Sequence, residues 1–136
     1  MTAYTKPLPT PTALSSPFWT AARHNEIRVQ QCGKCGHAQH PPRPLCGECW
    51  SDDLTWIVCE GRGTVFSYTV CHWPTIASFK GDAPYIIAIV ELTEGVRLTT
   101  NIVDCPLNRI AIDLPVAAVF EKATDNITLI KFRPAK

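Results

Sequence analysis

The chain carries two Cys-x-x-Cys pairs, Cys32-Gly33-Lys34-Cys35 and Cys46-Gly47-Glu48-Cys49, with ten residues between them. Each pair bends the backbone so that two thiolates face one spot. Two such knuckles supply the four sulfurs of a tetrahedral metal site. Cys32, Cys35, Cys46 and Cys49 are therefore the expected ligands of a structural Zn²⁺, with four incidental or disulfide-bonded cysteines as the plainer alternative. Four protein ligands leave no position for water or substrate, so the ion is expected to hold structure and do no chemistry. Iron fits the same four thiolates, and the sequence does not choose between the metals. Gly36 follows the first knuckle, where a residue tolerant of positive φ helps the turn close. Trp50 holds that place after the second.

A chain of 136 residues is long enough for one domain or two very small ones, and 46% hydrophobic residues suffice for a packed core. Thirteen basic residues against twelve acidic ones argue against a protein built to grip a nucleic-acid backbone. No apolar run reaches membrane-spanning length and no secretory signal is expected at the N-terminus, so the seven cysteines read as reduced, cytoplasmic thiols. Beyond the four ligands, Cys59, Cys71 and Cys105 read as small buried hydrophobes.

Four stretches follow in order. Residues 1–15, with Pro7, Pro9 and Pro11 among threonines, read as a flexible arm of extended character. Residues 16–26 read as a short helix. Ser16 is placed to cap it, Pro17 suits its first turn, Phe18, Ala21 and Ala22 share one face, and Asn25 is a left-handed stop. Residues 27–60 are the zinc ribbon, with strands at 27–31 and 54–58. Between its knuckles, His40-Pro41-Pro42-Arg43-Pro44 forms a stiff, displayed loop. There Arg43 and His40 either contact an anion or partner, or Arg43 caps the loop or pairs with Asp52 or Asp53. Gly61-Arg62-Gly63 reads as a hinge.

Residues 61–136 read as strands near 64–72, 85–93, 96–103, 115–122 and 127–132. Glu94-Gly95 turns the second into the third, Thr124-Asp125-Asn126 turns the last pair, and a short helix or loop spans Pro106 to Ile112. Five mostly one-faced strands with an interruption between the third and fourth point to a Greek-key barrel of the OB type. The expected fold is thus mainly β: a short N-terminal helix, a rubredoxin-like zinc ribbon and a five-stranded OB-fold barrel. The irregular stretch from Trp73 to Pro84 carries Trp73, Ile76, Phe79 and Lys80, and either presents a binding surface or folds down to plug the barrel end. No catalytic set is legible. Cys71 and His72 are adjacent in a strand and point to opposite faces, and Glu91 and Glu94 read as solvated hairpin carboxylates.

The order of these features resembles the acyl-CoA-associated zinc-ribbon/OB-fold family, formerly a domain of unknown function. The resemblance rests on Pro17-Phe18-Trp19, the knuckles around Pro41-Pro42-Arg43, Gly61-Arg62-Gly63-Thr64-Val65, Ala83-Pro84-Tyr85 and Glu91-Leu92-Thr93-Glu94-Gly95. It covers about residues 17–134. One departure is Asp113, where the family commonly has Gly before Leu-Pro-Val or Met-Pro-Val. The resemblance implies a non-catalytic accessory subunit of a thiolase-fold acyl-CoA enzyme (thiolase, aldolase, acyltransferase or hydroxymethylglutaryl-CoA synthase), and sometimes of an enoyl-CoA hydratase. Such a subunit helps hold the CoA moiety of acyl-CoA. A cradle for CoA needs cations and flat apolar surfaces, which Arg43, Trp73, Phe79, Lys80 and Tyr85 supply. The competing readings are a nucleic-acid-binding OB/zinc-ribbon protein, disfavoured by scattered basic residues, and an iron-bearing redox module.

Overall fold

The computed structural model describes residues 4–135. A helix, α1 (Ser16–Arg23), leads into a three-stranded antiparallel sheet of β1 (Ile27–Cys32), β2 (Ala38–Gln39) and β3 (Leu54–Cys59), in the order β2-β1-β3. Five further strands follow: β4 (Arg62–Cys71), β5 (Tyr85–Leu92), β6 (Arg97–Ile102), β7 (Pro115–Lys122) and β8 (Thr128–Pro134). They close a barrel in the order β4-β5-β6-β8-β7, as expected of an OB-fold. The β6–β8 neighbours are parallel and the rest antiparallel. Closure is completed where Arg62–Thr64 pair with Pro115–Ala117. Among the described residues, no helix is long and apolar enough to cross a membrane.

Alternation explains the barrel core. Along β5 every second residue is buried, placing Ile86, Ala88, Val90 and Leu92 inside, where they meet Leu98, Ile102, Val116 and Phe132. The same cluster continues into Phe18, Ile27, Val29 and Cys59. Helix and ribbon therefore share the barrel's core through their own buried residues, and the short helix gains from that packing the stability it lacks alone. Gly63 permits the β4–β5 approach, because a Cβ there would lie on the carbonyl of Glu91, 2.9 Å from its carbon.

Several expectations change in detail. The helix is one residue longer at its start than a Ser16 cap implies: Ser15 is the N-cap, without a side-chain cap bond, because its hydroxyl accepts the Thr12 N–H at 2.8 Å instead. Asn25 does stop the helix, at φ 60. Arg62 and Gly63 belong to β4, so of the expected hinge only Gly61 lies outside a strand, at φ 78. Of the helix or loop expected at 106–112, the structure has the loop, built of turns. In the irregular stretch, a 3-10 helix spans Ala77–Asp82. Cys59 is buried as expected, but Cys71 and Cys105 are only partly covered. Asp113 takes φ 68, the left-handed conformation for which glycine is suited, while its N–H donates to Val65 O at 2.8 Å.

Candidate metal centre and binding surfaces

The two knuckles have the same local geometry. Gly36 N–H donates to Cys32 O at 2.9 Å, and Trp50 N–H donates to Cys46 O at 3.0 Å. Both closing residues have positive φ, 81 for Gly36 and 66 for Trp50. These turns bring Sγ of Cys32, Cys35, Cys46 and Cys49 within 4.8 Å of one another. Cys32 and Cys49 sulfurs are 3.5 Å apart, and those of Cys35 and Cys46 are 3.6 Å apart. A tetrahedron of sulfurs about 2.3 Å from a zinc ion has edges of about 3.8 Å, so the set fits such an ion. Backbone N–H groups of Lys34 and Cys35 point at Cys32 Sγ, and that of Glu48 at Cys46 Sγ, each at 3.4 Å. These donors favour thiolate. They hold Cys32 down to about 6, the Cys35 N–H contributing most, and the Cys49 and Glu48 N–H groups lower Cys46, whereas burial and the adjoining sulfurs raise Cys35 and Cys49. Neither His37 nor His40 belongs to the sulfur cluster.

The loop between the knuckles is pegged by two buried glutamines. Gln30 Oε1 accepts the Arg43 N–H at 2.8 Å, and its Nε2 donates to Arg43 O at 3.0 Å. Gln39 Nε2 donates to Gln30 Oε1 at 2.8 Å, and Gln39 Oε1 accepts the Gly47 N–H at 2.9 Å. The loop is thus only half displayed. Arg43 is exposed and, among the described residues, forms no ion pair, with Asp52 and Asp53 or otherwise. His40 turns inward and stacks on Phe18, ring centroids 4.8 Å apart, and burial lowers its pKa to about 4.

Of the remaining expected binding residues, Phe79 and Tyr85 come together, with centroids 5.9 Å apart. They line a cleft that Arg43, Trp73 and Lys80 do not line. The cation over Phe79 is Lys6, at 5.9 Å, which also pairs with Asp82 at 2.6 Å. Lys80 is exposed nearby in sequence on the 3-10 helix, and Trp73 is 90% exposed. The stretch therefore divides: Phe79 folds onto Tyr85 while Trp73 stands out. Tyr85 also faces Cys71 across β4–β5, and the neighbouring thiol raises its pKa. Glu91 pairs with Arg97 at 3.3 Å. Glu94 is not merely solvated: its Oε2 accepts the Glu60 N–H at 2.9 Å, which ties the hairpin to the ribbon's exit. Beside it, burial and then Glu94 push the Cys59 thiol up to about 12.

The comparisons with known proteins agree with this geometry. Residues 19–55 match the family model of the ChsH2 rubredoxin-like zinc ribbon domain, and residues 56–121 match that of the ChsH2 C-terminal OB-fold domain. A DUF35 domain-containing scaffold protein of Methanothermobacter thermautotrophicus is 42% identical over 104 residues, covering 76% of this chain and 77% of the relative. A protein of Thermomonospora curvata named Probable enoyl-CoA hydratase alpha subunit is 41% identical over 119 residues. That match takes in 87% of this chain but 37% of the relative, so the chain spans little more than a third of that relative's length. Among solved structures, a chain of the Ltp2-ChsH2(DUF35) aldolase superposes with a TM-score of 0.85 at 37% identity, covering 95% of this chain and 100% of that one.

Proposed function

This chain belongs to the ChsH2-type DUF35 family, in which a rubredoxin-like zinc ribbon precedes an OB-fold, and on that premise we propose that it is a non-catalytic accessory subunit of a thiolase-fold acyl-CoA enzyme. The partner, a thiolase, aldolase or acyltransferase, supplies the nucleophile or base. This chain docks on it and helps hold the CoA moiety of its substrate. The observation that carries the reading is the likeness to the solved aldolase chain over that chain's full length. The hydratase name of one relative supports an enoyl-CoA hydratase as a second kind of partner.

The four cysteines hold Zn²⁺ as a structural ion, with knuckle N–H groups directed at the sulfurs of Cys32 and Cys46. Phe79 and Tyr85 offer adjacent flat faces, and the exposed Lys80, Arg43 and Trp73 offer cations and an aromatic for phosphates, adenine or the partner's surface. The assembly works in the cytoplasm, where thiols stay reduced. The test is affinity capture of the tagged chain from its native cells, with mass spectrometry of what remains bound. A thiolase-fold or hydratase enzyme in fixed ratio is expected. A clean monomer, or a chain carrying only nucleic acid, overturns the reading.

A further inference from the structure

The ribbon sheet has two edges, and they differ. β2 forms one. It is two residues long and is followed, after His40, by Pro41 and Pro42, which donate no backbone hydrogen bond. β3 forms the other. Its sequence, Leu-Thr-Trp-Ile-Val-Cys, holds no charge, proline or glycine, and its pairing with β1 runs without a bulge. Among the described residues β1 is its only strand partner. β3 thus lacks the charges, prolines and bulges that commonly keep an edge from pairing.

Alternation tells which backbone groups of β3 face outward. Cys32 N–H donates to His37 O, on the β2 side of β1, and Gly33 N–H donates to Asp53 O, both at 2.8 Å. Residues 53, 55, 57 and 59 therefore bond toward β1, and residues 54, 56, 58 and 60 turn their N–H and C=O groups away from it. The ends of this outward row are answered locally. Leu54 N–H donates to Asp52 O, and Glu60 N–H donates to Glu94 Oε2, both at 2.9 Å. Between them, Leu54 C=O and both groups of Trp56 and Val58 have no hydrogen-bond partner among the described residues. The stretch is open to solvent, with Val58 53% exposed. Both of its ends are acidic: Asp52, Asp53 and Glu60 are exposed and form no ion pair among the described residues. Arg28, opposite Val58 on β1, is taken by Glu26 at 3.0 Å.

We propose that β3 is a docking edge for an extended segment of another protein, about five residues of apolar and β-branched character with lysine or arginine at both ends. A row of outward N–H and C=O groups at strand spacing is answered by another extended backbone, which continues the ribbon sheet through Trp56 and Val58. The segment's terminal cations meet Asp52, Asp53 and Glu60, and acid at both ends serves either strand direction. The same charges disfavour a second copy of this chain. In the two-fold antiparallel pairing that uses the whole free stretch, centred on Trp56, Asp52 falls opposite Glu60. The proposal uses neither Phe79 nor Tyr85 and does not rest on the accessory-subunit reading.

The test uses the full metal-loaded chain and a capped peptide of alternating valines and threonines with two lysines at each end, followed by amide NMR. The Trp56 and Val58 amides should shift saturably and exchange more slowly with the peptide bound. The same peptide with glutamates in place of the lysines should bind about tenfold more weakly in dilute salt, a difference that shrinks as salt is added. Methylating the nitrogens of the valines and threonines keeps every charge and side chain and should abolish binding. Val58→Pro removes an outward N–H that the fold does not use, and should abolish binding at unchanged metal content. Asp52→Lys combined with Glu60→Lys alters no backbone bond and should reverse the preference between the two peptides. Unmoved Trp56 and Val58 amides, equal affinity for the two peptides in dilute salt, or undiminished binding of the methylated peptide would overturn the proposal. Dimerisation of the chain alone that Val58→Pro abolishes would also overturn it, by giving the edge to a second copy.

Discussion

Trp50 closes the second knuckle at φ 66, a conformation an L-residue adopts at a cost, whereas the first knuckle uses Gly36 at φ 81. The side chain explains little of this, since Trp50 is 76% exposed. Comparing Trp50→Gly with Trp50→Ala isolates the backbone contribution, because both variants lose the same ring contacts. At an unstrained exposed site Ala is the more stable by about 0.4–1 kcal/mol, through the greater entropy of glycine in the unfolded chain. Left-handed φ costs Ala about 1–2 kcal/mol and costs Gly almost nothing. The order should therefore invert, with Trp50→Gly more stable than Trp50→Ala by about 0.5–1 kcal/mol. In a chain of this size that corresponds to about 2–4 °C in Tm. Gly36→Ala is the mirror experiment: nothing lies within 4 Å of the added Cβ, so only φ acts, and a loss of similar size is expected. Thermal and urea unfolding of the metal-loaded variants reads both. If Trp50→Ala equals or exceeds Trp50→Gly, the strain argument for the knuckle is refuted.

Other parts of the structure yield expectations of the same kind. Gly63→Ala places a methyl group on the backbone of Glu91 and should cost about 1–3 kcal/mol or more by forcing β4 from β5, measured as a fall in the urea midpoint at unchanged m. His40 has a folded pKa of about 4, below its usual 6.5, so the unfolded chain takes up the proton first as pH falls. Stability is then full above about pH 6.5 and declines toward pH 4, by at most about 2 kcal/mol at pH 5. His40→Phe should remove that part of the acid slope, and identical slopes between pH 7 and 5 would contradict it. Chelation of the metal should release amide protection across residues 32–53 while β5 and β6 stay protected, as hydrogen exchange would report. Uniform loss over the barrel would mean that the shared core cannot stand without the ion.

The metal site was legible because its geometry is local: two short spacings decide where four sulfurs go. The barrel strands were legible because alternation survives in β5 and β6, and the hairpin because Gly95 supplies the positive φ its turn needs. What escaped the sequence depends on contacts between distant residues. Gln30 looks like a solvent-facing strand residue, yet it is 4% exposed because the inter-knuckle loop folds over it and needs its amide. Its only signal was polarity in a strand that leads directly into a proline-rich loop. His40 read as displayed because nothing local says that α1 brings Phe18 beneath it. Lys80 was the cation chosen to accompany Phe79 by proximity in sequence, but the N-terminal arm delivers Lys6 instead. Asp113 was legible as a departure from glycine, and its φ of 68 shows that the turn persists without one.

The central claim is that this chain supports another protein's chemistry. The direct measurement is acyl-CoA turnover by the captured partner enzyme, assayed alone, with this chain added back, and by this chain alone. The account predicts no turnover by the chain alone and a large gain when the two are recombined in the captured ratio. Robust turnover by the isolated chain, or a partner whose rate is unchanged by its presence, would contradict it.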